Sequence, residues 1–134
     1  MKNNKRRKIA GIMACLIFVL CTAQYSIAGS EYSSAYINGY PVSAYLECHD
    51  NEVYAYTSLS GCYDSSRHSS VSASGVLFTS YGVYYRVKSA SNSAPNSSTV
   101  YISPDSNSYF VSAKSNHSAG YLNYQWSVKL ACDA

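Results

Sequence analysis

The sequence predicts an all-β protein: a small antiparallel β-sandwich or partly closed barrel of about seven or eight short strands, behind an N-terminal signal peptide. Three observations carry that expectation. Beyond residue 28 no apolar stripe recurs at helical spacing, whereas several short runs alternate apolar with polar residues. Those runs are rich in Tyr, Val, Thr and Ser, and strong helix formers such as Glu, Lys, Gln and Leu are scarce. Turn-forming residues separate them, Asn38-Gly39 most clearly.

The chain opens with a dense basic cluster, Lys2, Lys5, Arg6, Arg7 and Lys8, followed by an apolar run from Ile9 to Cys21. Ser26-Ile27-Ala28 then puts small side chains at the two positions a signal peptidase reads. That order reads residues 1–28 as a removable leader and 29–134 as one secreted, extracellular β-domain. The apolar run is 13 residues long, short of the roughly 20 that a spanning helix needs, so no stable membrane span is expected after cleavage. Cys21-Thr22-Ala23 offers a second cut, after Ala23. Two lipoprotein-like boxes, ending at Cys15 and Cys21, fit poorly: the first lies mid-run and the second carries bulky Leu20 beside its cysteine.

Export changes the charge reading. The whole chain is formally +3, but five of its ten basic residues lie in the leader. The domain keeps five basic and seven acidic residues, a net charge of −2. It lacks the basic footprint that nucleic acid binding requires. Its aliphatic stock is thin: 16 Val, Ile and Leu against 14 tyrosines. Several tyrosine rings must therefore be partly buried, with their hydroxyls bonded at the rim.

Strands follow in order. Asn38-Gly39 predicts a type I′ hairpin joining a strand near Ser33–Ile37 to one beginning at Tyr40. In that second strand Val42, Ala44, Leu46 and Cys48 alternate with Ser43, Tyr45 and Glu47. His49-Asp50-Asn51-Glu52 reads as the next turn, after which Val53, Ala55, Thr57 and Leu59 alternate with Tyr54, Tyr56 and Ser58. Ser60-Gly61 ends that strand. Val83, Tyr85 and Val87 alternate with Tyr84, Arg86 and Lys88, the first set read as inward. Shorter candidates are 69–73, 76–80, 99–103 and 109–114. The Ser/Asn/Pro-rich stretch from Ser89 to Ser98 reads as a long surface loop, and Pro104-Asp105-Ser106-Asn107 as a turn. The strongest alternation runs from Tyr121 to Cys132, with Leu122, Tyr124, Trp126, Val128 and Leu130 on the buried face.

Three cysteines stay in the domain, Cys48, Cys62 and Cys132. Cys48 and Cys132 each continue the inward face of their strand. Cys62 would lie roughly nine residues along the hairpin from Cys48, near 30 Å at about 3.3 Å per residue. A disulfide needs α-carbons under about 7 Å apart. The expected pair is therefore Cys48–Cys132, leaving Cys62 unpaired within the chain.

No catalytic, cofactor or nucleotide motif stands out. Glu47-Cys48-His49-Asp50 collects metal-type side chains, but neighbours along a strand point to opposite faces and no second cluster completes a site. A serine or Cys62 beside His68 or His117 is weak evidence for a hydrolase, because serines number 25 in the domain and no Gly-x-Ser-x-Gly elbow is present. The chain is not expected to be an enzyme. What does point somewhere is the Tyr/Ser bias. Tyrosine offers rigid amphipathic contact area and serine adaptable hydrogen bonds, the pairing that antibody loops exploit. Tyr45, Tyr54, Tyr56 and Tyr84 fall opposite the inferred buried positions, which suggests a binding face for a cell-surface glycan or protein. The alternatives are an envelope-acting toxin and a self-associating structural protein, the last because few charges guard the sheet edges. Mass spectrometry of the exported protein should find its N-terminus at Gly29, with Gln24 as the second expected position. Full-length chain held in the membrane, or lipid on Cys15 or Cys21, would contradict the leader assignment.

Overall fold

The computed structural model describes the backbone of residues 23–27 and all of residues 29–134. The remainder of the expected leader lies outside the described residues. Among the described residues, nine antiparallel strands form two sheets: β1 (Ala23–Ile27), β2 (Ser30–Ile37), β3 (Tyr40–His49), β4 (Glu52–Leu59), β5 (His68–Thr79), β6 (Tyr84–Ala94), β7 (Ser97–Ile102), β8 (Ser108–Tyr121) and β9 (Tyr124–Asp133). Sheet order is β1-β2-β3-β4-β7 in the first sheet and β6-β5-β8-β9 in the second. The sheets pack as a β-sandwich: β2 lies over β9, β3 over β8 and β9, β4 over β5 and β8, and β7 over β5 and β6. No helix among the described residues is long and apolar enough to cross a membrane. The short β1 pairs with β2 from residue 23 to 27. A cut after Ala23 would keep this strand, and one after Ala28 would remove it.

Tight turns set the register of the first sheet. Asn38 and Gly39 have φ of 45° and 87°, the left-handed pair a type I′ hairpin requires. Ile37 therefore faces Tyr40, and each residue back along β2 faces its counterpart along β3. The Asp50-Asn51 turn does the same for β3 and β4, starting from His49 opposite Glu52. Alternation then sends Val42, Ala44, Leu46 and Cys48, with Val53, Ala55, Thr57 and Leu59, into the space between the sheets. The second sheet contributes Val71, Leu77, Phe110, Trp126 and Leu130. Gly75 makes room for the largest of the fully buried rings: a Cβ there would sit 2.5 Å from two Phe110 ring carbons. Of the 14 tyrosines in the domain, Tyr121 is buried outright and Tyr40 packs edge-on against it at 5.3 Å.

Four expectations need correction. Residues 69–73 and 76–80 are one strand, β5, which continues through Gly75 and shifts register near Leu77. Ser89–Ser98 is no loop. Ser89, Ser91 and Ser93 pair with Ser74, Ser72 and Ser70, so β6 runs on to Ala94 and turns at Pro95-Asn96 into β7. Serine suits a solvated strand face as well as it suits a loop, so composition alone misread it. Val83, just before β6, and Tyr85 and Val87 at its start are 62%, 48% and 50% exposed instead of inward, where β6 forms the edge of its sheet. Finally, Leu122 and Asn123 form the β8–β9 turn, with Leu122 at φ 50° and exposed. Tyr124, also expected inward, is 42% exposed, so the buried alternation of β9 begins only at Trp126. Trp126 and Leu130 are buried as expected.

Candidate binding surface

The register that fills the core also arranges the outer face of the first sheet. Tyr32 faces Tyr45, Tyr45 faces Tyr56, and Tyr56 faces Thr99, so one row crosses β2, β3, β4 and β7. Two residues along, Tyr54 faces Tyr101. Strands lie about 4.8 Å apart, close to the spacing at which aromatic rings contact one another. The rings do so: Tyr45 stacks on Tyr56 at 5.6 Å, Tyr54 lies 4.6 Å from Tyr101, and Tyr54 is 6.0 Å from both Tyr45 and Tyr56. Tyr32, Tyr45, Tyr54 and Tyr56 are half-buried by their neighbours, while Tyr101 is 66% exposed at the rim.

Polar groups flank the rings. Ser34, Ser43, Ser58 and Ser97 are successive cross-strand partners, a hydroxyl row parallel to the tyrosine row. Over the β2–β3 end of the serine row lies a shallow depression of about 210 Å³, with Tyr32 on one side and Tyr36, Pro41 and Ser60 on the other. At the other end Glu47 accepts a 2.7 Å hydrogen bond from His49. Burial raises the Tyr45, Tyr54 and Tyr56 phenols above their ordinary value; Glu47 adds to this at Tyr45, and Tyr101 at Tyr54. The three phenols therefore stay neutral through physiological pH, and the polar side chains of Glu47, His49 and Glu52 lie at the margin of the face. It offers flat rings for stacking and hydroxyls for hydrogen bonds, and no nucleophile with an activating base.

Of the sequence candidates, Tyr45, Tyr54 and Tyr56 come together here. Tyr84 does not. It projects from β6 in the other sheet, 59% exposed, edge-on to Phe78 at 6.4 Å. The grouping of Tyr84 with the other three came from strand parity, which assigns a face but cannot assign a sheet. Tyr32 and Tyr101 were missed, although the Asn38-Gly39 turn already implies Tyr32 opposite Tyr45. The outer face of the second sheet differs in kind. Its groove of about 600 Å³ is floored by Ser70, Ser72, Ser91, Ser93, Ser118 and Ser127 with no Phe, Tyr or Trp ring.

The three cysteines among the described residues are free thiols: Cys48 and Cys62 are buried and Cys132 is partly exposed. The expected Cys48–Cys132 disulfide is thus not formed; the two thiols perturb each other, Cys132 holding Cys48 below its ordinary value and Cys48 pushing Cys132 up. Among the described residues no group of three or more His, Cys, Asp or Glu side chains could hold a metal ion. Strand parity explains this at residues 47–50: Cys48 points inward while Glu47 and His49 point out. The chain matches no known protein family, no curated protein and no solved structure.

One serine–histidine contact does exist, inside the sandwich. Ser115 Oγ is 2.6 Å from His117 Nε2, and His117 Nδ1 is 2.8 Å from Thr57 Oγ. The Thr57 hydroxyl donates to the Ser70 carbonyl, so its oxygen accepts from Nδ1–H and leaves Nε2 to accept from Ser115. Ser115, His117 and Thr57 are each at most 2% exposed. This network ties the sheets together where no substrate reaches it. Burial lowers the His117 pKa to about 4, with a smaller opposing contribution from the Tyr56 backbone. A lowered folded pKa means that the unfolded chain takes up the proton first, from about pH 6.5 downward. Stability is therefore full above that pH and should fall by roughly 2–3 kcal/mol as pH drops to about 4. Urea denaturation at a series of pH values measures this. Asp64 and Asp105, whose carboxyls are held low by Ser66 and by Lys88 and Arg86 respectively, keep their contribution to stability down to about pH 4 and lose it only below that. A flat stability between pH 6.5 and 4, or a slope unchanged in a His117→Gln variant, would show that His117 is not sealed in the core.

Proposed function

We propose that this is an exported, non-catalytic binding module that holds a cell-surface glycan on the tyrosine face. The observation that carries the reading is the paired arrangement of rings and hydroxyls: tyrosines crossing adjacent strands in one row, with a row of serines beside them. Sugar rings present apolar C–H faces and equatorial hydroxyls together, and such a surface matches both. Stacking of pre-arranged tyrosines loses little side-chain entropy, and the carboxyl side chains of Glu47 and Glu52 at the margin favour a neutral ligand over an acidic one. A protein partner uses the same chemistry less economically, because the face is shallow and lacks a central pocket for an anchor side chain.

A second reading rests on a different feature. At the β5–β6 hairpin Tyr81 and Val83 are 93% and 62% exposed, followed by Tyr84, Tyr85 and Val87. No charged residue lies between Thr79 and Tyr85. An aromatic, uncharged tip of this kind suits the interfacial zone of a lipid bilayer, and it favours the envelope-acting alternative.

A glycan array followed by titration of the best-retained glycan separates these readings. A Tyr54→Ser, Tyr56→Ser double variant should lose at least about 2 kcal/mol of binding, or roughly 30-fold in affinity, while remaining folded. Tyr84→Ser should bind normally. A folded double variant with unchanged affinity would remove the tyrosine face from the account. Vesicle binding that Tyr81→Ser abolishes, with no glycan retained, would replace the glycan reading with the second one.

A further inference from the structure

Each outer strand of the sandwich has something across its edge. On one side β6 and β7 lie against each other, where Asn92 Nδ2 donates to the Thr99 carbonyl at 3.0 Å, and Arg86 and Lys88 put charge along β6. On the other side the β9 edge is met by Glu31, whose carboxylate accepts from Ala131 N–H. β2, which packs against β9, is covered by β1, paired with it from Ile27 opposite Ser30 to Ala23 opposite Ser34. The Gly29 carbonyl accepts from Cys48 N–H on β3. In an antiparallel ladder the odd residues of β2 therefore bond to β3, and Ser30, Tyr32, Ser34 and Tyr36 turn their backbone groups to the edge. The strand that covers this edge lies on the leader side of Ala28. A cut after Ala28 strips β2 of its neighbour and leaves at the sheet edge an eight-residue strand with one charged residue, Glu31.

We propose that removal of the leader turns the β2 edge into a docking site for a second copy of this chain, with β2 pairing antiparallel to β2 about a two-fold axis. β1 shows that the edge accepts an antiparallel strand in unbroken register over five residues. β2 is also its own complement. Pairing centred on Ser34 sets Tyr32 of one copy opposite Tyr36 of the other on the outer face. On the inner face it sets Ser33 opposite Ala35, so the burial alternation continues across the axis. The edge-facing residues are all even-numbered, so this register aligns donors with acceptors. Glu31 falls opposite Ile37, and no like charges meet. The product is one continuous sheet of eight strands, four from each copy, ending in β7 on both sides. Both tyrosine faces then lie on the same side of it, a bivalent arrangement. The inference rests on the leader ending at Ala28 and not on the glycan reading.

The test reads the N-terminus of the exported protein by mass and its oligomeric state by sedimentation velocity over a dilution series. A chain beginning at Gly29 should sediment as a dimer that dissociates on dilution. Ser34→Lys sets two lysines opposite each other at the axis and should weaken self-association about fivefold or more. Tyr36→Pro removes an N–H that faces the edge and not β3, and should abolish the dimer. Ser93→Lys, on β6 at the far side of the sandwich, should stay dimeric. Should one β2 variant fail to fold, the wild-type measurement and the other variant still decide. A Gly29 chain that is monomeric at about 1 mM, or a dimer that the folded β2 variants leave intact, would overturn the proposal. An N-terminus at Gln24 would overturn it too, because β1 would stay on the edge. The mass separates that failure from a failure of pairing, and neither bears on glycan binding.

Discussion

Two-residue turns at Asn38-Gly39 and Asp50-Asn51 set the register on which everything else in the first sheet depends. In an antiparallel sheet the pairing at a tight turn propagates along both strands. Here it fixes three lines at once across β2, β3 and β4: an apolar line facing the core, a tyrosine row and a serine row facing out. A slip of one residue would carry Leu46 and Ala55 to the surface and Tyr45 and Tyr56 into the core. The core could not accept them, since Gly75 and Phe110 already close the space between the sheets to van der Waals contact. Core packing and surface recognition are thus two faces of one register.

The same economy explains the polar interior. With few aliphatic residues to spare, the sandwich bridges its sheets partly through Thr57, His117 and Ser115, whose donors and acceptors satisfy one another. A fully satisfied buried network orients its members more strictly than an apolar contact does. It also makes the domain sensitive to acid in a window set by His117 instead of by carboxylates. Asp105 works differently. It lies at the surface and joins the β7–β8 turn to β6 through Arg86 and Lys88, holding an exposed edge strand that buries little of its own side-chain area.

Much of this was legible in the sequence. Period-two alternation identified β3 and β4 and put Tyr45, Tyr54 and Tyr56 on the outer face. The turn at residues 49–52 and the inward parity of Cys48 and Cys132 also held, but shared parity does not imply a bond between the two sulfurs. What failed did so for identifiable reasons. Serine alternates in β6 as hydroxyl and small apolar residue, a weak contrast that resembles loop composition. Leu122 carries an apolar label but occupies a left-handed turn position, so the alternation of β9 was extended too far. Tyr84 obeyed parity yet belongs to the other sheet, information that resides in strand order and not in any local run. Tyr101 needed the pairing of β4 with β7, a non-local contact across the intervening β5–β6 hairpin.

The central claim is that one register places the tyrosines side by side across three central strands. Nuclear Overhauser contacts in the exported, isotope-labelled protein measure that register without reference to any ligand. The account predicts cross-strand backbone contacts between Tyr32 and Tyr45 and between Tyr45 and Tyr56, with ring contacts between Tyr54 and Tyr101. Backbone contacts that instead pair Tyr45 with Ala55 or Thr57 as direct partners would contradict it, because the tyrosine row would then not exist.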